Sequence, residues 1–393
     1  MLSKRISAGW RSQLSALEGD FDRILVVRLD NIGDLVMLGP ALRALRAAYP
    51  RAEITLMASP AGSQVAPLLP WIDGVIVWRA VWQDVSADLP LDPAREISLA
   101  MQLRQRQFEV AFIFTSFTQS PYPPAYACYL AGIPIRVGHS KEFGGGVLSH
   151  CAEPPLDSGH QVDRNLSLLK AVGVPVPGGH LELSLPEQVQ QSADQILESV
   201  GIDLESPFIL LAPGASCATR RYDPERFASV AQMLVSTTDL PLVVVGSPRE
   251  TGIVESVAAG ARQPRPDRVK SLVGMTSVPD LAAIIRRSSL VIANNSASLH
   301  FADAFMRPMV ILYSGTEYES QWKPRRASAR LLRRPTHCSP CYNFNCPYAM
   351  ECLDIAPEEV VTAALEMLAR EFSTVRADLK SAHKEQEEKI GAR

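Results

Sequence analysis

The order of apolar runs and turns predicts an α/β protein built from two doubly wound domains in tandem. An apolar strand runs into a tight turn and a helix between Ile24 and Ala48, strand and helix then alternate, and the same grammar restarts after the Pro/Gly-rich stretch Gly173-Val174-Pro175-Val176-Pro177-Gly178-Gly179. At 393 residues, 47% of them hydrophobic and 21% charged, the chain is too long for one ordinary domain and carries apolar material for two cores. A cleft between the two domains is expected.

The first unit begins with Ile24-Leu25-Val26-Val27 as strand, Arg28 to Asp34 as turn, and a helix over Leu35 to Ala48 with apolar residues at Leu35, Leu38, Leu42 and Leu45. Asp34 therefore falls where strand meets helix, the edge at which open α/β sheets take their ligands. Strands are expected at Glu53 to Met57, Gly74 to Trp78 and Glu109 to Phe114, and helices at Pro93 to Arg106 and Tyr126 to Ala131. Arg136 to His139 reads as the final strand of this half. Lys141 to Gly159, with Gly144-Gly145-Gly146, reads as an irregular, ligand-facing loop. A helix at Gln161 to Ala171 leads into a linker near residues 173–186.

In the second half, the strand Phe208 to Ala212 ends in Pro213-Gly214-Ala215-Ser216 and precedes a helix from Glu225 to Val235. The strand Leu242 to Val245 ends in Gly246-Ser247, with helices from Glu250 and over Val278 to Arg286. Leu290 to Ala293 is a strand whose turn, Asn294-Asn295-Ser296-Ala297, opens the helix Ser298 to Phe305, and Met309 to Leu312 is the next strand. The expected organisation is an extension over 1–21, domains over 22–180 and 181–368, and a charged tail over 369–393 that is solvated or lies back as a helix.

Composition excludes several classes. A formal net charge of -3 and the lack of a basic stripe interleaved with aromatics argue against a nucleic-acid partner. No apolar run approaches the roughly 20 residues that span a bilayer, and Met1 to Asp20 lacks the apolar centre of a secretion signal, so a cytoplasmic protein is expected. Seven cysteines would make a disulfide scaffold only in a small secreted chain.

Four turns carry possible chemistry. Asp34 either caps its helix, with Asn31 as an alternative cap, or serves as a general base toward an acceptor hydroxyl, Gly33 allowing close approach. The turn Asn294-Asn295-Ser296-Ala297-Ser298-Leu299-His300 gathers free N–H groups at a helix start and suits an anion, although Asn295 or Ser296 could simply cap it. Gly214 followed by Arg220 and Arg221 suits a phosphate, the alternative being a solvated arginine pair. Glu250 can accept ribose hydroxyls or favour its own helix start.

No Gly-x-Gly-x-x-Gly follows a strand and no Walker lysine appears, so dinucleotide and P-loop assignments lack their signatures. Cys338, Cys341, Cys346 and Cys352 place four thiols within 15 residues and could hold a structural zinc or an iron–sulfur cluster, or remain reduced thiols in a closing loop. Cys128, Cys151 and Cys217 read as isolated thiols.

Taken together, Arg28-Leu29-Asp30-Asn31-Ile32-Gly33-Asp34, Gly39-Pro40-Ala41-Leu42, Pro213-Gly214-Ala215 with Arg220-Arg221-Tyr222, Gly246-Ser247-Pro248-Arg249-Glu250, and Asn294 to His300 with Ala302-Asp303-Ala304 resemble family 9 of the glycosyltransferases, which includes the lipopolysaccharide heptosyltransferases. The resemblance covers about residues 22–368. It implies a GT-B fold of two Rossmann-like domains facing a central cleft, acceptor bound by the first and nucleotide sugar by the second, and inverting, metal-independent transfer. Asp34 matches the family's catalytic base, Arg220 stands where a lysine usually contacts the donor phosphates, and Glu250 stands at the ribose carboxylate. Asn295-Ser296-Ala297 matches a diphosphate-binding turn that is usually Asp-Ser/Thr-Gly.

The resemblance makes ADP-heptose the expected donor and a lipopolysaccharide core, or another lipid-linked envelope glycan, the expected acceptor, met at the inner face of the cytoplasmic membrane. The donor would be held by Gly214, Arg220, Arg221, Glu250, Asn295, Ser296, Ala297, Ser298 and His300. The acceptor would be met by Asn31 and Gly33, and by Arg136, His139 and Lys141 at the first domain's substrate edge, the alternative for these three being ordinary surface charge. A nucleotide-sugar epimerase of the same architecture, and a binding protein in which Asn295 and Ala297 have abolished transfer, are the other readings open at this point. Oligomeric state has no signal in the sequence.

Overall fold

Runs of four to six apolar residues become parallel strands here because helices cover both faces, so neither side of the run has to be polar. The computed structural model describes residues 16–84, 87–261 and 265–373. Most of the expected extension and tail lies outside the described residues.

The described chain forms two compact units, one running to Ser184 and including Ser320–Lys323, the other comprising Leu185–Glu319 and the chain from Pro324 on. In the first unit, β1 (Arg23–Arg28), β2 (Glu53–Ala58), β3 (Gly74–Val77), β4 (Val110–Ile113), β5 (Ile135–His139) and β6 (His150–Ala152) form one sheet in the order β3-β2-β1-β4-β5-β6. Every pair is parallel, with Val27 opposite Met57 on one side and Ile113 on the other.

The helices of this unit are α1 (Ile32–Ala48), α2 (Pro93–Gln105), α3 (Tyr122–Leu130) and α4 (Gln161–Ala171). α1 is apolar on most of its circumference, and Leu35, Val36, Met37, Leu38, Ala41, Leu42, Ala44 and Leu45 are all buried, as a helix enclosed by sheet and neighbouring helices requires.

The second unit repeats the plan. It comprises α5 (Glu187–Ser199), β7 (Ile209–Ala212), α6 (Pro224–Thr237), β8 (Leu242–Val244), α7 (Thr251–Ala261), β9 (Val269–Ser271), α8 (Val278–Arg287), β10 (Leu290–Asn294), α9 (Ala297–Ala304), β11 (Met309–Leu312) and β12 (Ala329–Leu332), with a final helix, α11, over 357–373. The sheet order is β12-β11-β10-β7-β8-β9, which read from its other edge is the 3-2-1-4-5-6 order of the first sheet. The short α10 (Glu319–Trp322) is mostly part of the first unit, where the Gln321 amide donates to the Asp157 carbonyl at 2.6 Å and Trp322 meets the Phe117 ring edge-on.

Several expectations change. The first helix starts at Ile32, placing Asp34 inside its first turn, and α3 starts at Tyr122 because prolines are tolerated in a first turn. Arg136 to His139 is not the last strand of its sheet: β6 lies within the segment read as an irregular loop. β6, β9 and β12 have only three or four residues and sit at or next to sheet edges with polar members, so they carry no apolar run. α5 escaped notice because it buries only Ala193 and Leu197. Among the described residues no helix is long and apolar enough to cross a membrane.

The second core closes on Tyr222 and Phe227, whose rings meet edge-on at 5.4 Å, with the Tyr222 hydroxyl donating to the buried Ile355 carbonyl at 2.6 Å. Phe227→Ala should destabilise the protein by about 3–5 kcal/mol, by lost transfer energy and the cavity left behind. Urea unfolding followed by circular dichroism measures it, and a loss below about 1 kcal/mol would mean that the site collapses around the missing ring.

Candidate active site

In the order 3-2-1-4-5-6, the connections from the two central strands leave in opposite directions, which opens a crevice at their carboxyl ends. In the first unit these strands are β1 and β4; the turn after β1 carries Asp30 and leads to Asp34 in the first turn of α1, and the loop after β4 carries Ser116 and Gln119. β1 ends in Arg28, which is 0% exposed. Its guanidinium donates to Asp34 Oδ1 at 2.7 Å and to Ser116 Oγ at 2.9 Å. Its Nε lies 2.8 Å from Asp30 Oδ2, within ion-pair distance but out of line for a hydrogen bond.

The other oxygen of Asp34 accepts the backbone N–H of Asn31, the residue that caps α1, at 3.2 Å. Oδ2 of Asp34 thus serves the helix start, while Oδ1 faces Arg28. Gly33 is buried between them in sequence. Asp30 accepts from the Gln119 amide. Burial pushes the Asp30 carboxyl up to about 6, against the pull of Arg28 and with a contribution from the Asp34 charge. Arg164 of α4 is also buried; it donates to the Thr115 carbonyl at 3.2 Å and sits over the Phe117 ring at 5.2 Å. Its pKa is lowered to about 10, first by burial and then by Arg28.

In the second unit the central strands are β7 and β10. Asn294, at the end of β10, accepts the Tyr222 N–H at 3.0 Å and donates to the Pro213 carbonyl at 2.7 Å, tying the two strand ends together. Asn295 is buried and its Oδ1 accepts the Ser314 N–H at 3.3 Å, so this side chain braces the end of β11. Ser296 caps α9 in extended conformation without a side-chain capping bond, leaving the first-turn N–H groups of Ala297 and Ser298 at the strand-to-helix turn. Ser298 and His300 are buried in that turn.

Across this edge, a Cβ on Gly214 would lie 1.9 Å from Glu250 Oε1, so a larger residue there would have to displace this carboxylate. Glu250 Oε2 accepts the N–H and hydroxyl of Ser247 at 2.9 and 2.8 Å, which fixes its position at the start of α7. Arg220 reaches Glu317 at 2.7 Å, Thr316 Oγ1 at 3.3 Å and Ser216 Oγ at 3.3 Å. Glu317 and Thr316 went unnoticed in the sequence because almost a hundred residues separate them from Arg220. Arg221 does not join its neighbour: its guanidinium folds back onto the Ala215 carbonyl at 3.0 and 3.2 Å and staples the turn.

The expected acceptor-side cations change role. Arg136 is buried and donates to the carbonyls of Val147, Pro134 and Gly146 at 2.7, 2.9 and 3.0 Å and to Ile133, so it clasps the loop into β6. His139 is buried against the Arg164 carbonyl and Ser167 hydroxyl. Burial, then the Arg164 charge, lowers its pKa to about 4, which keeps it neutral. Lys141 is exposed and reaches Asp157 at 3.2 Å.

Cys338, Cys341, Cys346 and Cys352 line one small pocket of about 20 Å³ with Thr219, Gly315 and Thr316. Among the described residues no group of three or more His, Cys, Asp or Glu side chains is arranged to hold a metal ion. The loop supports the Arg220 turn: Cys341 and Tyr342 donate backbone N–H groups to the Gly315 and Thr316 carbonyls at 3.1 and 2.9 Å, and Thr219 Oγ1 donates to the Asn343 carbonyl at 2.7 Å.

The chain is similar to known proteins over most of its length. Lipopolysaccharide heptosyltransferase 2 of Salmonella typhimurium is 24% identical over 367 residues, spanning 89% of this chain and 99% of that protein. The structure of Escherichia coli ADP-heptose lps heptosyltransferase II superposes with a TM-score of 0.70 at 22% identity, covering 89% of this chain and 99% of the other. The family 9 glycosyltransferase of Veillonella parvula superposes with a TM-score of 0.73 at 22% identity, covering 90% and 99%. These structures share the two-sheet GT-B fold. Residues 97–350 match glycosyltransferase family 9 (heptosyltransferase), and with that match the chain belongs to this family and is a glycosyltransferase.

Proposed function

We propose that this enzyme transfers heptose from ADP-heptose to a lipopolysaccharide-core acceptor with inversion at the anomeric carbon. Its heptosyltransferase relatives support the donor and acceptor classes. The observation that carries the chemistry is the contrast between the two switch-point edges. The first unit's edge presents the carboxylate of Asp34, and the second unit's edge presents Arg220 with the first turn of α9. A base and a stabiliser of a leaving anion are the two parts that direct displacement needs.

Asp34 takes the proton of an acceptor hydroxyl, whose oxygen attacks the anomeric carbon. The bond from that carbon to the β-phosphate oxygen breaks, and its electron pair leaves with ADP. Arg220 and the N–H groups at the start of α9 receive the developing charge, and Glu250 meets the ribose. Because Arg220 is paired with Glu317, diphosphate binding exchanges one anion for another on the same guanidinium. Transfer is assigned to these groups alone, with no step given to the cysteine loop. The lipid-linked acceptor would be met at the inner face of the cytoplasmic membrane.

Incubation with ADP-heptose and a heptose-deficient lipopolysaccharide core should yield a heptosylated core and ADP; release of ADP only into water would refute the acceptor. Asp34→Asn should lower kcat by about 10²–10⁴-fold while ADP affinity, read by calorimetry, is unchanged; wild-type turnover would remove Asp34 from the base role. Arg220→Ala should weaken ADP binding by roughly tenfold or more, the loss expected of a charge-assisted contact, and undiminished affinity would refute that contact.

A further inference from the structure

Arg28 faces two carboxylates at once, which is more than structural pairing requires. It is enclosed at the end of a central strand, and a buried guanidinium left without an anion costs several kcal/mol. A general base cannot be its permanent partner, because Asp34 becomes neutral when it accepts the acceptor's proton. Asp30 occupies the second position on the same guanidinium, is held from the other side by Gln119, and lies in the turn between β1 and α1 with no contact to the capping bonds of α1.

We propose that Arg28 and Asp30 are positioning residues for the base: Arg28 orients Asp34 Oδ1, and Asp30 is the counter-charge that keeps Arg28 paired while Asp34 holds the acceptor's proton. This rests on the assignment of Asp34 as base. In the step, the acceptor O–H bond breaks, the proton goes to Asp34, the electron pair stays on the acceptor oxygen, and Arg28 shifts its interaction to Asp30. The 13% exposure of the Asp34 side chain is the opening through which the hydroxyl can reach it. When Asp34 is neutral, one of the charges that opposes ionisation of Asp30 is gone, so Asp30 holds its own charge more firmly when it is needed.

Other charged groups around this cluster are Arg164 from α4, the Asp157 charge that acts on Arg164, and His139 from β5, which is neutral above about 4. Near neutral pH Arg164 stays charged and His139 stays neutral, so neither adds a charge change there.

Removing the Asp30 charge makes protonation of Asp34 less favourable, because it would strand Arg28. The acidic limb of kcat/KM should therefore move to lower pH in Asp30→Asn, by about one unit, and plateau kcat should fall about tenfold as the base weakens. ADP affinity should stay unchanged. Arg28→Met should lower kcat nearly as far as Asp34→Asn, with Arg28→Lys recovering part of the loss. Asp30→Asn is near-isosteric and keeps the test decisive if Arg28→Met does not fold, which circular dichroism reports. A wild-type pH profile and kcat in folded Asp30→Asn would overturn the inference even with Asp34→Asn inactive. Turnover retained by Asp34→Asn would instead remove the base and this device together.

Discussion

All strands of each sheet run parallel, so each delivers its carboxyl end to one edge, and that edge is where the chain must place whatever is not apolar. Inside the sheets both faces are covered, which is why β1, β4, β7 and β10 are almost continuous runs of Ile, Leu, Val, Ala and Phe. Polar chemistry begins abruptly at the last residue of a central strand: Arg28 ends β1, and Asn294 ends β10. The switch-point edges of the two units are the same topological place, and each carries an arginine paired with carboxylate.

Burial gives these edge residues their properties. Arg28 has no water to solvate it and is held by Asp34, Asp30 and Ser116; the same exclusion of water raises Asp30 and lowers Arg164. In the second unit the equivalent cation, Arg220, is partly open and pairs with Glu317 across a short span, an arrangement that a diphosphate can replace. The Asp34 carboxylate is clamped beside an enclosed arginine, whereas the Arg220–Glu317 pair stands partly open.

Asn295 and Ala297 each have a place in the structure of their turn. Asn295 accepts the Ser314 N–H and so braces the neighbouring strand end, a task its amide oxygen performs as a carboxylate would. Ala297 is the first residue of α9, where helical backbone needs no glycine. The backbone N–H groups at such a helix start are present whatever the side chains are. The cysteine loop likewise acts through its backbone, supporting the turns that carry Thr219, Thr316 and Arg220.

The sequence by itself determined the fold class, the central strands and the positions of Asp34, Gly214, Arg220, Glu250 and the Asn294 to His300 turn. Those features depend on local period, on small turn residues and on the rule that ligand-bearing turns follow strands. It did not contain the short edge strands, whose pairing depends on a neighbour already being in place, or α5, whose buried face is two residues wide. Only the tertiary structure decided which charges are available. Arg136 and His139 looked like an acceptor-facing pair and are enclosed, Arg221 looked like a twin of Arg220 and folds back, and Asp30 looked like a turn residue and shares a buried arginine with Asp34. Whether a side chain keeps its charge and where it points are set by residues distant in sequence that exclude water around it. A one-dimensional pattern carries no record of that enclosure.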